Sequence, residues 1–490
     1  MRKTVNLQSP LFSPSIPDIR FDLRSRDEIP QLLIGLQEIY KTPELRNEVT
    51  DILKNVVPEN IDNETGRPGM DIWQILVLGT LRLNCNWDYD RLREIANEHR
   101  SVRMMLGFEE NDFSRQFPLQ TLKDNVSLLT PEILGGISQA VVDHGHGLLG
   151  KKAEELHGSC DSFVVETDVH FPTDINLLFD AVRKIITVIE SVCSEAGITE
   201  WRQHRHNLKK IRKLFNKVRK LRRSNSKDRK KRDEREKLIK EAYQAYTDIV
   251  SSMISRVVQC IFIIREMGIS VPSEARLTTV EHYISHADRQ IDLIKRRVFN
   301  GEKIPHDEKI FSVFEEHTEW ICRGKAGVRQ ELGVRVCILK DQFGFILHHR
   351  VMEKETDDKV AVPVVTEAKK KFDSLNGCSF DKGFYTPDNI RELKKIIEHV
   401  VLPKKGKLSE AEREAEHSEE FLKARRRHSA VESSINALEN HGLDRCRDHG
   451  IQGFRRYVAL AVTARNIQIL GRMIQQKESD RQRWHQRKAA

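Results

Sequence analysis

Three acidic residues of this 490-residue chain stand where they could share one reaction. Asp161 opens a β-rich run, Asp381 ends a second short run, and Glu432 lies in a helical stretch near the C-terminus. Carboxylates from two strands and a packed helix can converge on a pair of Mg²⁺ ions, which prefer hard oxygen ligands. Two such ions about 4 Å apart stabilise the attacking and leaving oxygens of a phosphoryl displacement. The residue types therefore indicate metal-assisted phosphoryl transfer, although spacing alone has little specificity.

The helical stretch around Glu432 also carries a block of positive charge, Arg425–His428. Residues three, four and seven apart share a helix face, so Arg425, His428 and Glu432 can point the same way. Glu439 stands in the last turn, where the helix dipole disfavours an acid, and we interpret it as structural. An amphipathic surface helix with ordinary charge pairs is the alternative for the whole stretch.

The elements that must position these acids follow from the periodicity of the apolar residues. Their order predicts an α+β fold, a mixed β-sheet flanked by helices. The predicted elements are a buried strand within 161–174, two strands at 333–338 and 345–348 joined at 340–344, a helix at 361–372, a short strand at 377–381, a helix at 387–400, a short strand at 400–403 and a last long helix around Glu432.

Two parts of the chain are predicted to be helical throughout. Residues 31–150 read as an all-helical N-terminal domain, and 181–304 as a long, coiled-coil-like insertion after the first strand. The insertion has apparent breaks at 224–226 and 268–272. The proline-bearing residues 1–30 predict an extended arm, and the last residues, 473–490, a polar basic tail.

The net charge of +9 is concentrated in one segment, 202–240, which holds 19 Lys and Arg against 4 Asp and Glu. Such a segment on an otherwise mildly acidic chain is typical of a polyanion-binding surface, with nucleic acid the usual partner. The longest apolar run, Val257–Ile264, is too short for a membrane span, and no secretory signal is apparent. We therefore expect a soluble cytoplasmic protein. The eight scattered cysteines predict neither a zinc site nor a disulfide framework.

Two histidine pairs invite a metal interpretation. They are His144 with His146, and His348 with His349. No neighbouring residue completes a ligand set at either pair. We therefore expect the first pair in a loop between domains, and no metal at the second.

Four segments, taken together and in this order, resemble the DDE transposases of bacterial insertion sequences, most of all the ISNCY group. They are 161–181, 317–336, 380–390 and 425–446, and the similarity extends from about Val56 to Arg472. The resemblance implies an RNase H-like catalytic domain at 155–180 and 305–472. It further implies two Mg²⁺ ions, for which Mn²⁺ can substitute, and at least a dimer on double-stranded DNA. The implied activity is cleavage at terminal inverted repeats followed by strand transfer to target DNA.

Residue by residue, the resemblance assigns the catalytic metal ligands to Asp161, Asp381 and Glu432. Asp168 is the alternative for the first acid. Residues an odd number apart on a strand point to opposite faces, so only one of Asp161 and Asp168 can lie on the catalytic face. Asp161 is preferred since the Asp of the family is usually followed by Ser, Thr or Gly and then a hydrophobic run. Gly383, just after the second acid, would let the backbone turn away from the metals.

The helix of the third acid departs from the family pattern of Tyr, Arg, Glu and Lys. Arg425 occupies the Tyr place, His428 the Arg place and Glu439 the Lys place. Several cationic side chains remain candidate DNA contacts, namely Arg323, Lys325, Lys382, Arg425, Arg426, Arg427 and His428. Two other functions stay open: an RNase H-like nuclease without strand transfer, and an inactive DNA-binding relic.

Overall fold

A computed structural model describes residues 15–22, 25–57, 69–109, 115–223, 229–268, 270–322 and 330–489. The chain divides into two compact units. Unit 1 comprises residues 1–168 and 321–490, and unit 2 comprises residues 169–320. The predicted helical insertion, 181–304, therefore lies within a compact unit of its own.

The described residues form an α+β structure in which helices predominate. The helices are α1 (Glu28–Lys41), α2 (Pro43–Lys54), α3 (Ile72–Asn84), α4 (Tyr89–Glu98), α5 (Arg100–Met105), α6 (Leu119–Val126), α7 (Pro131–Leu149), α8 (Asp174–Glu195), α9 (His204–Arg223), α10 (Arg229–Glu266), α11 (Val271–Ile294), α12 (Asp357–Lys371), α13 (Pro387–Ile396), α14 (Glu410–His417), α15 (Glu419–His428), α16 (Ala430–Leu438) and α17 (Gly450–Ala489). The strands are β1 (Leu156–Thr167), β2 (Glu319–Ile321), β3 (Glu331–Lys340), β4 (Ile346–Met352), β5 (Leu375–Phe380), β6 (His399–Val401) and β7 (Arg445–Cys446).

A mixed seven-stranded sheet has the order β2-β3-β1-β5-β6, with β4 also paired to β3 and β7 to β1. The central strand β1 is antiparallel to β3 and parallel to β5. β3 continues into the antiparallel β4, and β5 pairs in parallel with β6. The predicted order of strands and helices from β3 to β6 is present, and the short strands β2 and β7 are additions to it. Several shorter helices stand in place of the last long helix predicted around Glu432.

The N-terminal helices pack on the C-terminal helix of unit 1, α17. Gly35 of α1 and Gly471 of α17 make this approach close, because a Cβ on either would lie about 2 Å from a carbonyl oxygen of the other helix. Thr463 of α17 also donates a hydrogen bond to the carbonyl of Leu134 in α7 (3.0 Å). Residues 31–150 therefore share a compact unit and a continuous core with the sheet, which differs from the expected separate domain.

The N-terminal arm is not free over its described part, 15–22. Ile16 and Ile19 are buried, and the Gln37 side-chain amide donates to both of their carbonyl oxygens at 2.8 Å. At the other terminus, the expected tail 473–490 continues helix α17 as far as Ala489. Residues 15–22 are therefore held by buried apolar side chains and hydrogen bonds, and the polar tail is part of a helix.

Unit 2 contains α8, α9, α10 and α11 around an apolar core of its own. On α9 the residues Ile211, Phe215 and Val218, spaced four and three apart, are buried, as one face of a helix that packs on a core should be. The break expected at 224–226 lies outside the described residues. The break at 268–272 is present, where Gly268 has a φ of 72° and α11 begins at Val271.

One described helix, Lys230–Glu266, is long and apolar enough to cross a membrane by length and composition. A core helix of a soluble protein passes the same test. In this helix 44% of the most apolar window is buried within the protein. Tyr246, Val250 and Val257 are among the residues that it contributes to the core of unit 2.

The first histidine pair lies in helix α7 and not in a loop. His144 Nε2 is 3.2 Å from Glu38 Oε1, and His146 Nε2 is 2.7 Å from the buried Asp341 Oδ2. Each ring therefore has a carboxylate partner, which satisfies it without a metal.

The second pair, His348 and His349 on β4, should make the stability of unit 1 depend on pH. Burial lowers the pKa of His348 to about 4 and that of His349 to about 3. In the unfolded chain each histidine has its ordinary pKa near 6.5. Between that pH and the lowered pKa values, the unfolded state therefore holds more protons than the folded state, and the free energy of unfolding falls as the pH falls. Denaturant unfolding should show a loss of up to about 1.4 kcal/mol per pH unit for each histidine below pH 6.5. The His348→Gln/His349→Gln variant should lose this dependence, whereas His206→Gln, on exposed α9 surface, should keep it.

Candidate active site

The register between β1 and β5 sets two of the expected acids side by side. Cys160 pairs with Phe380 in parallel, so Asp161 and Asp381 follow at the same level on neighbouring strands. Adjacent strands lie about 4.8 Å apart. Asp381 is the first residue after β5 and its backbone is still extended (φ −78°, ψ 163°). Two carboxylates are thus delivered to one place by the backbone alone.

The strand β1 begins earlier than the sequence predicts. It starts at Leu156, so Asp161 lies in its middle and not at its start. The residues 156–160 pair with β5, whereas the apolar run that follows pairs with β3. This earlier start is what brings the first acid level with the end of β5.

Both carboxylates share a sheet face with a set of polar residues. Ser159 is paired with Lys340 on one side and Ser379 on the other, and side chains two apart on a strand share a face. Asp161 and Asp381 therefore lie on the face of these three residues. Ser379 Oγ donates to Ser159 Oγ at 3.1 Å, which joins the two strands beside the acids.

Helices α15 and α16 meet over this face. Lys340 Nζ donates to the carbonyl of Ala430, the first residue of α16, at 2.9 Å. Ser379 Oγ lies 3.1 Å from His428 Nδ1 at the end of α15. These two hydrogen bonds fix the junction of the helices above the strands that carry the acids.

Glu432 enters the same neighbourhood from the first turn of α16. The charges of both Asp381 and Glu432 act on His428, so both carboxylates lie in the neighbourhood of this ring. Burial nevertheless lowers the pKa of His428 against the pull of these two carboxylates. This lowering favours the neutral ring near pH 7 over the cation that the sequence suggested.

The expected continuous helix through Arg425 and Glu432 is divided in two. α15 ends at His428, Ser429 forms the junction, and its hydroxyl donates back to the carbonyl of Arg426 at 2.7 Å. Such local hydrogen bonding competes with helix continuation. Glu439 opens a wide helical turn that follows α16 and ends beyond Gly442, whose φ is 98°.

Asp168 is far from this convergence. It follows the last residue of β1, seven residues or about 23 Å along the strand from Asp161. Its side chain is 64% exposed, and Asp168 Oδ1 lies 3.8 Å from Arg445 Nη1. Of the two alternatives for the first acid, Asp161 is the one beside Asp381.

The cations expected to contact DNA differ in whether the structure describes them. Arg425, Arg426 and Arg427 are exposed on α15, and Lys382 is exposed directly after Asp381. The remaining two, Arg323 and Lys325, lie outside the described residues. A groove of about 780 Å³ opens where α15 and α16 meet the strands; Ser159, Lys340, Ser379 and Arg427 are among the residues that line it, and the three acids are not.

Sequence reasoning missed the residues that connect the acids to the helices. Ser159 and Ser379 each stand two residues before an acid, in S-C-D and S-F-D. This shared S-x-D pattern on two strands was a usable signal, because period-two spacing puts each serine on the face of its acid. Lys340 carried no comparable signal, since its role depends on the antiparallel register of β3.

The three carboxylates have the chemistry that hard divalent cations prefer. Their oxygens, however, do not all lie within 4.8 Å of one another, and among the described residues only His282, His286 and Glu316 form such a group. Asp161 is half-buried, while Asp381 and Glu432 are exposed, so the ends of these side chains have access to solvent. Three carboxylates supply oxygen ligands only, which suits Mg²⁺ or Mn²⁺ and suits zinc less well.

Comparisons of the chain with models of protein families, with curated proteins and with solved structures give no match. A function for the chain is therefore inferred from its residues and their arrangement.

Proposed function

We propose that the protein is a DDE transposase that cleaves and joins DNA with two Mg²⁺ ions held by Asp161, Asp381 and Glu432. The observation that carries the proposal is the register of β1 and β5, which sets two of these acids side by side beneath the helix of the third. The family resemblance in the sequence points to the same three residues without any knowledge of this register.

The sheet supports the RNase H-like core that this proposal requires. The central strand β1 pairs antiparallel with β3, which forms a hairpin with β4; on its other side β1 pairs in parallel with β5, which pairs in parallel with β6. The chain enters unit 2 directly after β1, which is where the proposed fold has an insertion. The acids come from β1, from the end of β5 and from a helix near the C-terminus of the core.

The three carboxylates would hold the metal ions, which when bound stabilise the attacking and leaving oxygens of an in-line displacement. Neutral His428, oriented by Ser379, is placed to exchange a hydrogen bond with a DNA oxygen or water beside Asp381 and Glu432. Lys340 keeps the start of α16, and so Glu432, over the sheet. In the proposed reaction, water hydrolyses one strand at the end of the element, and the freed 3′-OH attacks target DNA.

The charge distribution supports double-stranded DNA as the partner. The Lys and Arg residues of α9 are exposed while Ile211, Phe215 and Val218 are buried, so unit 2 presents a basic surface. In unit 1 the three arginines of α15 are exposed, and Arg427 lines the groove where α15 and α16 meet the sheet. A protein of this kind would act in the cytoplasm at the nucleoid, as at least a dimer that brings two DNA ends together.

The arginines of α15 should increase DNA affinity by neutralising phosphates. Replacing Arg425, Arg426 and Arg427 by alanine should weaken binding of a duplex and flatten the salt dependence. The slope of log K against log salt should fall by about 0.9 for each phosphate that the variant no longer neutralises. Fluorescence anisotropy over a series of salt concentrations measures this. Arg391→Ala, at an exposed arginine of α13, should leave the slope unchanged, and an unchanged slope in the triple variant would contradict the assignment.

A joining assay tests the activity. Labelled DNA from either flank of the gene is incubated with the protein, Mg²⁺ and a supercoiled plasmid. A transposase gives labelled plasmid, because strand transfer links the two molecules. An RNase H-like nuclease gives nicks without joined product, and a DNA-binding relic gives neither.

A further inference from the structure

A second group of metal-binding side chains lies in unit 2, apart from the three acids. His282 and His286 are one turn apart on α11, and Glu316 lies in the segment that follows the helix. Glu316 Oε1 is 2.6 Å from His282 Nε2 and 3.2 Å from His286 Nε2. The two Nε2 atoms are 3.2 Å from each other.

These distances are close to those within a metal coordination sphere. Zinc binds imidazole nitrogen at 2.0–2.1 Å and carboxylate oxygen at a similar distance, so tetrahedral geometry separates neighbouring ligand atoms by about 3.3 Å. Two of the three separations are 3.2 Å. The third is a direct hydrogen bond, and a small rotation of the half-exposed Glu316 or His282 side chain would lengthen it.

A hydrogen-bonded cluster without metal satisfies these groups poorly. Both Nε2 atoms are directed at one carboxylate oxygen, so both must carry hydrogen to donate to it. Two such N–H groups then face each other across 3.2 Å. One cation between the three atoms removes this conflict, because each neutral imidazole then presents a lone pair.

The surrounding structure keeps the three ligands in place. His286 is 9% exposed in its side chain, so packing holds it, whereas His282 and Glu316 are each 50% exposed. Ser312 Oγ accepts the backbone N–H groups of Phe314 and Glu315, which shapes the turn before Glu316.

We propose that His282, His286 and Glu316 bind a zinc ion that joins α11 to the segment after it, with a fourth position open to water. Two histidines four apart on a helix are a spacing that zinc sites use. Two imidazoles and one carboxylate select zinc over Mg²⁺, which prefers oxygen ligands. The site is independent of the proposed catalytic acids, and its function is to order this part of unit 2.

Titration with Co²⁺ tests this site. The full chain, stripped of metal by a chelator, is titrated with Co²⁺ in millimolar Mg²⁺, so that Mg²⁺ competes at the carboxylate site. We expect the visible absorption of tetrahedral Co²⁺ at one equivalent, displaced by Zn²⁺. His282→Gln and Glu316→Gln should each weaken binding by more than about 100-fold, because even an outer-shell partner is worth 10–100-fold.

Two controls make the outcome decisive. His206→Gln, at an exposed histidine of α9, and Asp381→Asn, at the proposed catalytic site, should both bind Co²⁺ as the parent protein does. The Tm without metal should be the same in His282→Gln as in the parent, since half of that side chain is already exposed. Absence of the tetrahedral absorption, or equal affinity in the parent and both ligand variants, would overturn the proposal.

Discussion

Asp381→Asn is expected to lower DNA cleavage and strand transfer in Mg²⁺ by at least about 1,000-fold. The substitution keeps the size of the side chain and removes the charge that would bind metal. Loss of one positioned electrostatic partner already costs about 100- to 1,000-fold in other active sites, and a metal ligand contributes more. Because Asp381 is exposed just after β5, the fold should not depend on its charge. The rate of nicking of a labelled duplex measures the effect.

The control for this change is Asp388→Asn, seven residues further along the chain. Asp388 is 77% exposed in its side chain and pairs with Arg391 within α13. We expect its activity to stay within about twofold, since an exposed pair of this kind contributes little to stability. Equal activity of the Asp381 variant and the parent protein would show that Asp381 is not a catalytic metal ligand.

The second large effect concerns the choice between Asp161 and Asp168. Asp161→Asn should abolish cleavage to a similar degree, because this acid stands level with Asp381 across the β1–β5 register. Asp168→Asn should retain activity within a few-fold, since Asp168 lies beyond the far end of β1 and contacts Arg445. Parallel assays of the two variants, with circular dichroism to check folding, decide between them. The opposite result would move the first catalytic acid to the other end of the strand.

Much of the sheet could be predicted because its signals are local. The hairpin of β3 and β4, the strand before Asp381 and helices α12 and α13 all follow from apolar periodicity and turn residues. The position of Asp381 at a strand end was predicted for the same reason. The predicted boundaries are off by a few residues at most of these elements.

Other features depend on contacts that no short window contains. The first strand begins at Leu156 because it pairs with β5, although His157, Gly158 and Ser159 have little β character by themselves. The N-terminal helices share a compact unit with the sheet for a similar reason, since α1 and α17 meet through glycines more than 400 residues apart. Tertiary pairing overrides local preference in both cases.

The candidate site also combines features that the sequence predicts with features that depend on tertiary contacts. Residue types and family resemblance selected the three acids, but neither indicates that His428 would be half-buried and neutral. That property comes from the packing of α15 on β5 through Ser379. The zinc-site proposal also depends on tertiary structure, because Glu316 is thirty residues after His286 in the chain.

Whether the three acids share a metal site can be tested by mapping where a divalent metal binds in the chain. Fe²⁺ with ascorbate and peroxide generates radicals that cut the backbone near a bound ion, and excess Mg²⁺ suppresses cuts at sites that prefer oxygen ligands. We predict Mg²⁺-suppressed cuts near Asp161, Asp381 and Glu432 together, and their loss in Asp381→Asn. Cuts near only one of the three, or cuts that persist unchanged in that variant, would contradict a shared metal site.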